Sequence, residues 1–61
     1  MKGRDLRKIR EKLGWTQVNM AKALFVTANT VARWERDERS ITESRALMIR
    51  MIVDREKQKR A

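Results

Sequence analysis

The chain has 61 residues, which is enough for one domain built around one small core. It contains no cysteine and no histidine, which excludes disulfides, thiolate metal sites and the side chain most used as a general base or zinc ligand. The formal net charge is +8, and a domain this basic is expected to bind polyanions, which means nucleic acids or anionic membranes.

No segment has the apolar run of a transmembrane helix, and the first residues lack the apolar core of a signal peptide. Proline is absent and glycine occurs only twice, so little in the chain interrupts helices. There is no internal repeat, low-complexity segment or linker. We therefore expect residues 1–61 to form a single all-α domain, a compact bundle of four, or at most five, short helices.

The first helix is predicted at residues 4–13. Leu6, Ile9 and Leu13 recur at helical spacing and form one apolar face, while charged side chains occupy the rest of its surface. Gly14 follows directly, at the position where helices favour a residue in the left-handed region. The pattern indicates an amphipathic helix that packs one face against the core and ends at this glycine.

Two short helices are predicted next, at residues 17–24 and 28–36. Each is preceded by a threonine suited to be its N-cap, Thr16 for the first and Thr27 for the second. An apolar residue before each threonine stands at the spacing of a hydrophobic staple. Only two residues separate the earlier helix from the later threonine. A link this short forces a steep crossing, which is the geometry of a helix-turn-helix.

The fourth helix is predicted at residues 43–57, with Thr42 as its N-cap or else Ser40, which has a glutamate three residues later as in a capping box. Its middle is apolar almost all round, which is typical of a helix with two buried surfaces. We expect Leu47 and Met51 to cover the core. The other side is interpreted as a homodimer surface, the alternative being a monomer whose whole helix covers the core. The candidate dimer residues are Met48, Ile49, Ile52 and Val53.

Several short sequence features recur in a familiar order. They are Leu-Arg-Lys-Ile-Arg-Glu-Lys-Leu-Gly at 6–14, Thr-Gln at 16–17, Val-Thr at 26–27 and Asn-Thr-Val-Ala-Arg-Trp-Glu at 29–35. Together they resemble the lambda-repressor-like family of DNA-binding domains, also called the Cro/CI or XRE type, over roughly residues 4–53. The resemblance implies a four- or five-helix fold that binds double-stranded DNA through the major groove.

Two positions depart from the pattern of this family. Phe25 stands in the turn where the family usually has glycine, and a bulky residue with a positive φ is strained there. Either the turn differs locally, or burial of the aromatic ring offsets the strain. Asp37 replaces a second glycine, and aspartate tolerates the left-handed region better than most residues. The family's fifth helix is expected to be missing.

The resemblance places the third helix in the major groove with its N-terminal residues at base edges. Asn29 can contact adenine with two hydrogen bonds, Arg33 can contact guanine in the same way, and Ala28 can touch a thymine methyl group. Thr30 can reach a base or a phosphate. The alternative interpretation is a solvated surface on which Asn29 and Thr30 support the helix cap.

The expected phosphate contacts position the domain without reading sequence. Gln17 opens a helix whose free N–H groups attract anions; a second role, bracing the third helix, lacks a polar partner at residue 28. Arg10 and Glu35 match the family's ion pair between the first and third helices, the alternative being an Arg10 contact to phosphate. The other phosphate candidates are Thr27, Arg36, Arg39 and Arg4.

We therefore predict a transcriptional regulator that binds double-stranded DNA, as a homodimer at least on DNA, in the cytoplasm of a prokaryotic or phage-infected cell, associated with the nucleoid. A repressor is favoured, and a phage regulator or an antitoxin is open. The alternative class is a protein-interaction module with this fold but without sequence-specific DNA binding. Enzyme activity is not expected, because the chain lacks a nucleophile–base constellation. A membrane role is not expected, because the chain carries capped turns. We also expect no cofactor, metal or small-molecule ligand.

Overall fold

A computed structural model describes residues 1–59 as four helices joined by short turns. The helices are α1 Gly3–Leu13, α2 Gln17–Leu24, α3 Ala28–Glu35 and α4 Glu43–Lys59. The all-α fold class predicted from hydrophobic periodicity is confirmed. Helix α1 begins one residue earlier than expected and α3 ends one residue earlier, while α4 runs two residues further. Residues 60 and 61 of the expected domain lie outside the described residues.

Threonine side chains determine where three of the helices begin. Thr16, Thr27 and Thr42 each accept, through Oγ1, a hydrogen bond from the backbone N–H three residues later, at 3.1, 3.2 and 3.3 Å respectively. Each bond satisfies an N–H group that has no partner inside the helix. Thr42 rather than Ser40 therefore caps α4.

The core lies where α1, α2 and α3 meet one face of α4. Helix α2 packs against α3, and both α2 and α1 pack against α4. Val26, in the turn that links α2 to α3, is half-buried and packs against this core. The most deeply buried side chains are Leu6, Met20, Ala21, Leu24, Val31, Trp34 and Ile49.

Helix α4 is rotated relative to the expectation from sequence. Ile49 is fully buried, whereas Leu47 and Met51 are 56% and 64% exposed. The expectation that Leu47 and Met51 cover the core is wrong, and so is the assignment of Ile49 to a dimer surface. Because Ala46 is small, its side of the helix can approach α1 and α2 closely, and Ile49 lies on that side. Half-buried positions flank this face at Met48, Ile52 and Val53.

The start of α1 lies directly against the end of α3, and this contact depends on Gly3. A Cβ atom at Gly3 would lie 2.1 Å from the backbone oxygen of Trp34, so no larger residue fits without a shift. The Gly3 N–H donates a hydrogen bond to Asp37 Oδ1 at 3.1 Å. Asp37 has a φ of 59°, as its expected tolerance of the left-handed region allows, and its carboxylate supplies a partner for the first N–H of α1.

The turn between α2 and α3 holds a strained and exposed aromatic residue. Phe25 has a φ of 59° and a ψ of 41°, which is the left-handed conformation. Its side chain is 84% exposed. Both explanations considered for this residue are wrong, because the turn keeps the left-handed conformation and burial within the chain does not offset the strain. A non-glycine residue in this conformation costs about 1–2 kcal/mol.

Replacing Phe25 by glycine is therefore expected to stabilise the fold. Phe25→Gly removes the Cβ strain and loses little packing, so the free energy of unfolding should rise by about 1 kcal/mol. Urea denaturation at low protein concentration measures this. Phe25→Ala is the matched control, because alanine removes the ring but keeps the Cβ strain, and it should bring no gain. Destabilisation by the glycine variant would contradict the strained-turn assignment.

Candidate nucleic-acid interface

Helix α3 presents a polar ridge to solvent. We define this ridge by Asn29 and Arg33, which are exposed and spaced so that they share one face. Val31 and Trp34 lie on the opposite face and are buried. Arg33 takes part in none of the ion pairs among the described residues. The ridge therefore offers an amide and a guanidinium group, one helical turn apart, that an external partner can reach.

Two other predicted base-reading residues are less accessible than this ridge. Ala28 is half-buried and packs against the core. Thr30 is also half-buried, and its hydroxyl lies 3.0 Å from the hydroxyl of Thr27. Because Thr27 Oγ1 also accepts from the Thr30 N–H, these threonines mainly close the N-terminus of α3. This agrees with the cap-supporting role considered for Thr30.

The predicted phosphate-binding arginines lie near the C-terminal end of α3. Arg36 and Arg39 follow the helix and are exposed, and Arg4 is exposed next to Gly3, which touches the end of α3. Arg36 forms an exposed ion pair with Glu38, with 2.6 Å between Nε and Oε2. An exposed pair of this kind contributes little stability, so a phosphate can replace the glutamate at small cost.

A hydrogen-bonded clamp joins the end of α3 to α1 and to the start of α2. We define the clamp by Arg10, Glu35 and Gln17. Arg10 Nε and Nη2 donate to Glu35 Oε2 and Oε1 at 2.7 and 3.1 Å, and Gln17 Nε2 donates to Glu35 Oε1 at 3.2 Å. Arg10 Nη1 also donates to the backbone oxygen of Trp15 at 2.9 Å. The structure thus contains the ion pair expected from the family resemblance.

The clamp also supplies the bracing partner of Gln17 that was not apparent from sequence. The sequence offers no polar partner at residue 28, whereas the structure places the Gln17 amide on Glu35. The carboxylate of Glu35 is long enough to accept from two helices at once, and its side chain is only 6% exposed. With its contacts made inside the protein, Arg10 has a structural role.

The clamp holds both of its charged groups in the ionised state. Hydrogen bonding to Glu35 raises the pKa of Arg10, and burial only partly opposes this. Burial by itself raises the pKa of Glu35, but hydrogen bonds from Arg10 and Gln17 and the charges of Arg10 and Arg7 together outweigh it, so the pKa is lowered. The clamp's stabilisation is therefore complete above the unfolded-state pKa of Glu35 and is lost as the pH falls through the folded-state pKa.

Neutralising Glu35 should remove part of the acid sensitivity of the fold. Glu35→Gln leaves Arg10 mostly buried without its counter-charge, so the free energy of unfolding at pH 7 should fall by about 3 kcal/mol. Its dependence on pH in the acid range, below the unfolded-state pKa of glutamate, should flatten, because the titration of Glu35 is removed. Urea denaturation at several pH values measures both effects.

Glu11→Gln is the matched control for this prediction. Glu11 forms an exposed ion pair with Arg7, so its loss should change the free energy of unfolding by less than about 1 kcal/mol. Equal effects of the two substitutions, at pH 7 and in acid, would show that the clamp does not contribute as described.

Residues 1–59 hold neither a membrane-spanning helix nor a metal-binding cluster. None of these helices combines the length and the apolar content of a membrane span. The same residues contain no cluster of three or more histidine, cysteine, aspartate or glutamate side chains placed to hold a metal ion. The polar ridge and its flanking arginines are the surface that the sequence and the fold both single out.

Comparison with known protein families gives a match over most of the chain. A helix-turn-helix family model, HTH_3, matches residues 6–50. No curated protein and no solved structure matches the chain. The matched segment runs from α1 into α4, so it includes all three residues of the clamp and the whole polar ridge.

Proposed function

Because the chain belongs to this helix-turn-helix family of DNA-binding regulators, as its resemblance to the Cro/CI type predicted, we propose that it recognises a specific double-stranded DNA sequence and represses transcription. The observation that carries the proposal is the polar ridge of α3, which the clamp and the buried face of the helix hold outward. A formal net charge of +8 adds the attraction that any DNA-binding domain needs.

In this proposal α3 enters the major groove and its ridge reads bases. Asn29 donates to and accepts from adenine, and Arg33 donates to guanine O6 and N7. Each such pair is worth about 1–3 kcal/mol of discrimination against the wrong base. Thr30 and Ala28 have smaller parts, because both are half-buried; the methyl group of Ala28 remains suited to a thymine methyl.

Phosphate contacts at both ends of α3 would position the ridge. Thr27 lies at the N-terminal end of α3. Gln17 lies near the C-terminal end, where its amide is bonded to Glu35; it opens α2, whose backbone N–H groups and helix dipole favour an anion. The arginines described above, also near the C-terminal end of α3, would contact the phosphates of the DNA backbone. These contacts set orientation and carry no sequence information directly. The arginines are Arg4, Arg36 and Arg39.

A homodimer, formed at least on DNA, would bind an operator with two-fold symmetry. Repression then follows from occupation of the operator, and the same mode of binding suits a phage regulator or the DNA-binding part of an antitoxin. Such a protein would work in the cytoplasm of a prokaryotic or phage-infected cell, on the nucleoid. Its partners would be double-stranded DNA and a second copy of the chain, and it would need no cofactor or small-molecule ligand.

Selection from a random duplex library tests the base-reading residues directly. The chain should enrich an inverted repeat, with half-sites about one helical turn apart. Arg33→Ala should relax the preference at one base pair of each half-site, because it removes a base contact. Arg36→Ala should weaken all sequences alike and reduce the slope of log K against log salt by about 1.

Lys57→Ala is the matched control for these variants. It removes the same charge from the far part of α4, where Lys57 lies beside Lys12 and Leu13 at the end of α1, so preference and salt slope should stay close to those of the unchanged chain. If no sequence is enriched and all binding fades with salt, only non-specific charge attraction is at work. The protein-interaction module would then become the leading function.

A further inference from the structure

Helix α4 carries an exposed ridge that no part of the described chain covers. We define the α4 outer ridge by Glu43, Leu47, Met51 and Arg55, which are all exposed and follow one another at intervals of four residues. Side chains at this spacing form a continuous row on a helix. Leu47 and Met51, at its centre, are large apolar side chains left mostly in water, which marks a candidate contact surface.

The α4 outer ridge is complementary to itself when it is reversed. Along the helix it reads acidic, apolar, apolar, basic, and in the opposite direction it reads basic, apolar, apolar, acidic. We infer that a second copy of this chain docks on the ridge with its own α4 antiparallel. Leu47 then packs against Met51 of the second copy, and Glu43 meets Arg55 of the second copy, each contact occurring twice by symmetry.

Helix packing geometry allows this arrangement. Rows with a spacing of four residues interdigitate when helices cross at about −50°, the commonest crossing in globular proteins. The centre of the contact falls level with residue 49, so Glu43 and Arg55 each lie six residues away, which is about 9 Å along the axis. The long side chain of Arg55 can span the gap that opens between crossing helices at this distance.

Other relative positions of the two helices are less favourable. A parallel arrangement opposes Glu43 to Glu43 and Arg55 to Arg55, which are like charges. Moving the antiparallel contact by one turn opposes Glu43 to Met51 in one direction and Arg55 to Leu47 in the other. Either shift removes a charge from water without pairing it, which is costly. The charge pattern therefore selects one register.

Phe25, which directly follows α2, lies beside the α4 outer ridge. Its exposed ring and Met51 line one groove between α2 and α4, together with Met48 and Ile52. Burial among residues 1–59 does not compensate the strain of its left-handed backbone, whereas a second copy on the α4 outer ridge would cover the mouth of this groove. The inference deepens the homodimer of the proposed function. It replaces Ile49, which is buried, by Leu47 and Met51 as the central contacts.

Charge reversal tests the register without DNA. Sedimentation equilibrium of the unchanged chain should show a reversible monomer–dimer equilibrium. Glu43→Arg and Arg55→Glu should each raise the dimer dissociation constant about tenfold, because each converts two attractive pairs into two repulsive ones. The double variant should return to within about threefold of the unchanged chain, because the reversed pairs attract again. Circular dichroism confirms that each variant keeps its helices.

A mixture of the two single variants gives a second, independent readout. In a heterodimer of Glu43→Arg with Arg55→Glu, both charge pairs are attractive, so the mixture should dimerise more tightly than either variant alone. Lys57→Glu is the matched control, since it reverses a charge on α4 outside the ridge and should leave the dissociation constant within about twofold. A chain that stays monomeric, or charge reversals that are not rescued by the double variant and the mixture, would overturn the inference.

These outcomes are separate from those for the proposed function. A chain that dimerises through the ridge but enriches no DNA sequence would keep the inference and overturn sequence-specific binding. A chain that enriches an inverted repeat, but whose dimer is indifferent to the charge reversals, would keep the function and overturn the ridge as its dimer surface.

Discussion

The bidentate contact between Arg10 and Glu35 is the interaction on which the arrangement of the helices depends. Helix α3 has eight residues, too few to be stable by itself in water. Its buried face holds it against the core, but apolar contacts alone allow a short helix to rotate or slide. The clamp removes this freedom, because Glu35 at the end of α3 is bonded to α1 and, through Gln17, to α2. The ion pair matters more for the position of α3 than for the net free energy of folding, because buried ion pairs contribute little to that free energy overall.

Hydrogen bonds hold both ends of α3 in place. Thr27 caps its start, Glu35 joins the clamp, and Asp37 just beyond it accepts a hydrogen bond from Gly3. Together these contacts orient the polar ridge before any partner is bound. A surface that is already ordered loses less conformational entropy on binding, so more of the contact energy appears as affinity. The strained turn at Phe25 is the exception, because its ring is left 84% exposed.

Much of this organisation was predictable from local chemistry, and the remainder depended on contacts between distant residues. The threonine caps follow from hydrogen-bonding preference, and the rotation of α3 from the spacing of Val31 and Trp34. The rotation of α4 had no such signal, because a helix that is apolar almost all round has no periodicity to mark its buried side. Gly3 also carries no local pattern, since its importance comes from the backbone of a residue 31 positions later in the chain, Trp34.

The measurement that tests the account most directly is the set of intermolecular nuclear Overhauser effects between the chain and the duplex that it selects. The account predicts contacts from major-groove base protons to the side chains of Asn29 and Arg33, with sugar protons near the start of α2. Contacts from the duplex to α4 or Phe25, with none between bases and α3, would contradict the claim that the clamp holds α3 in place to read DNA.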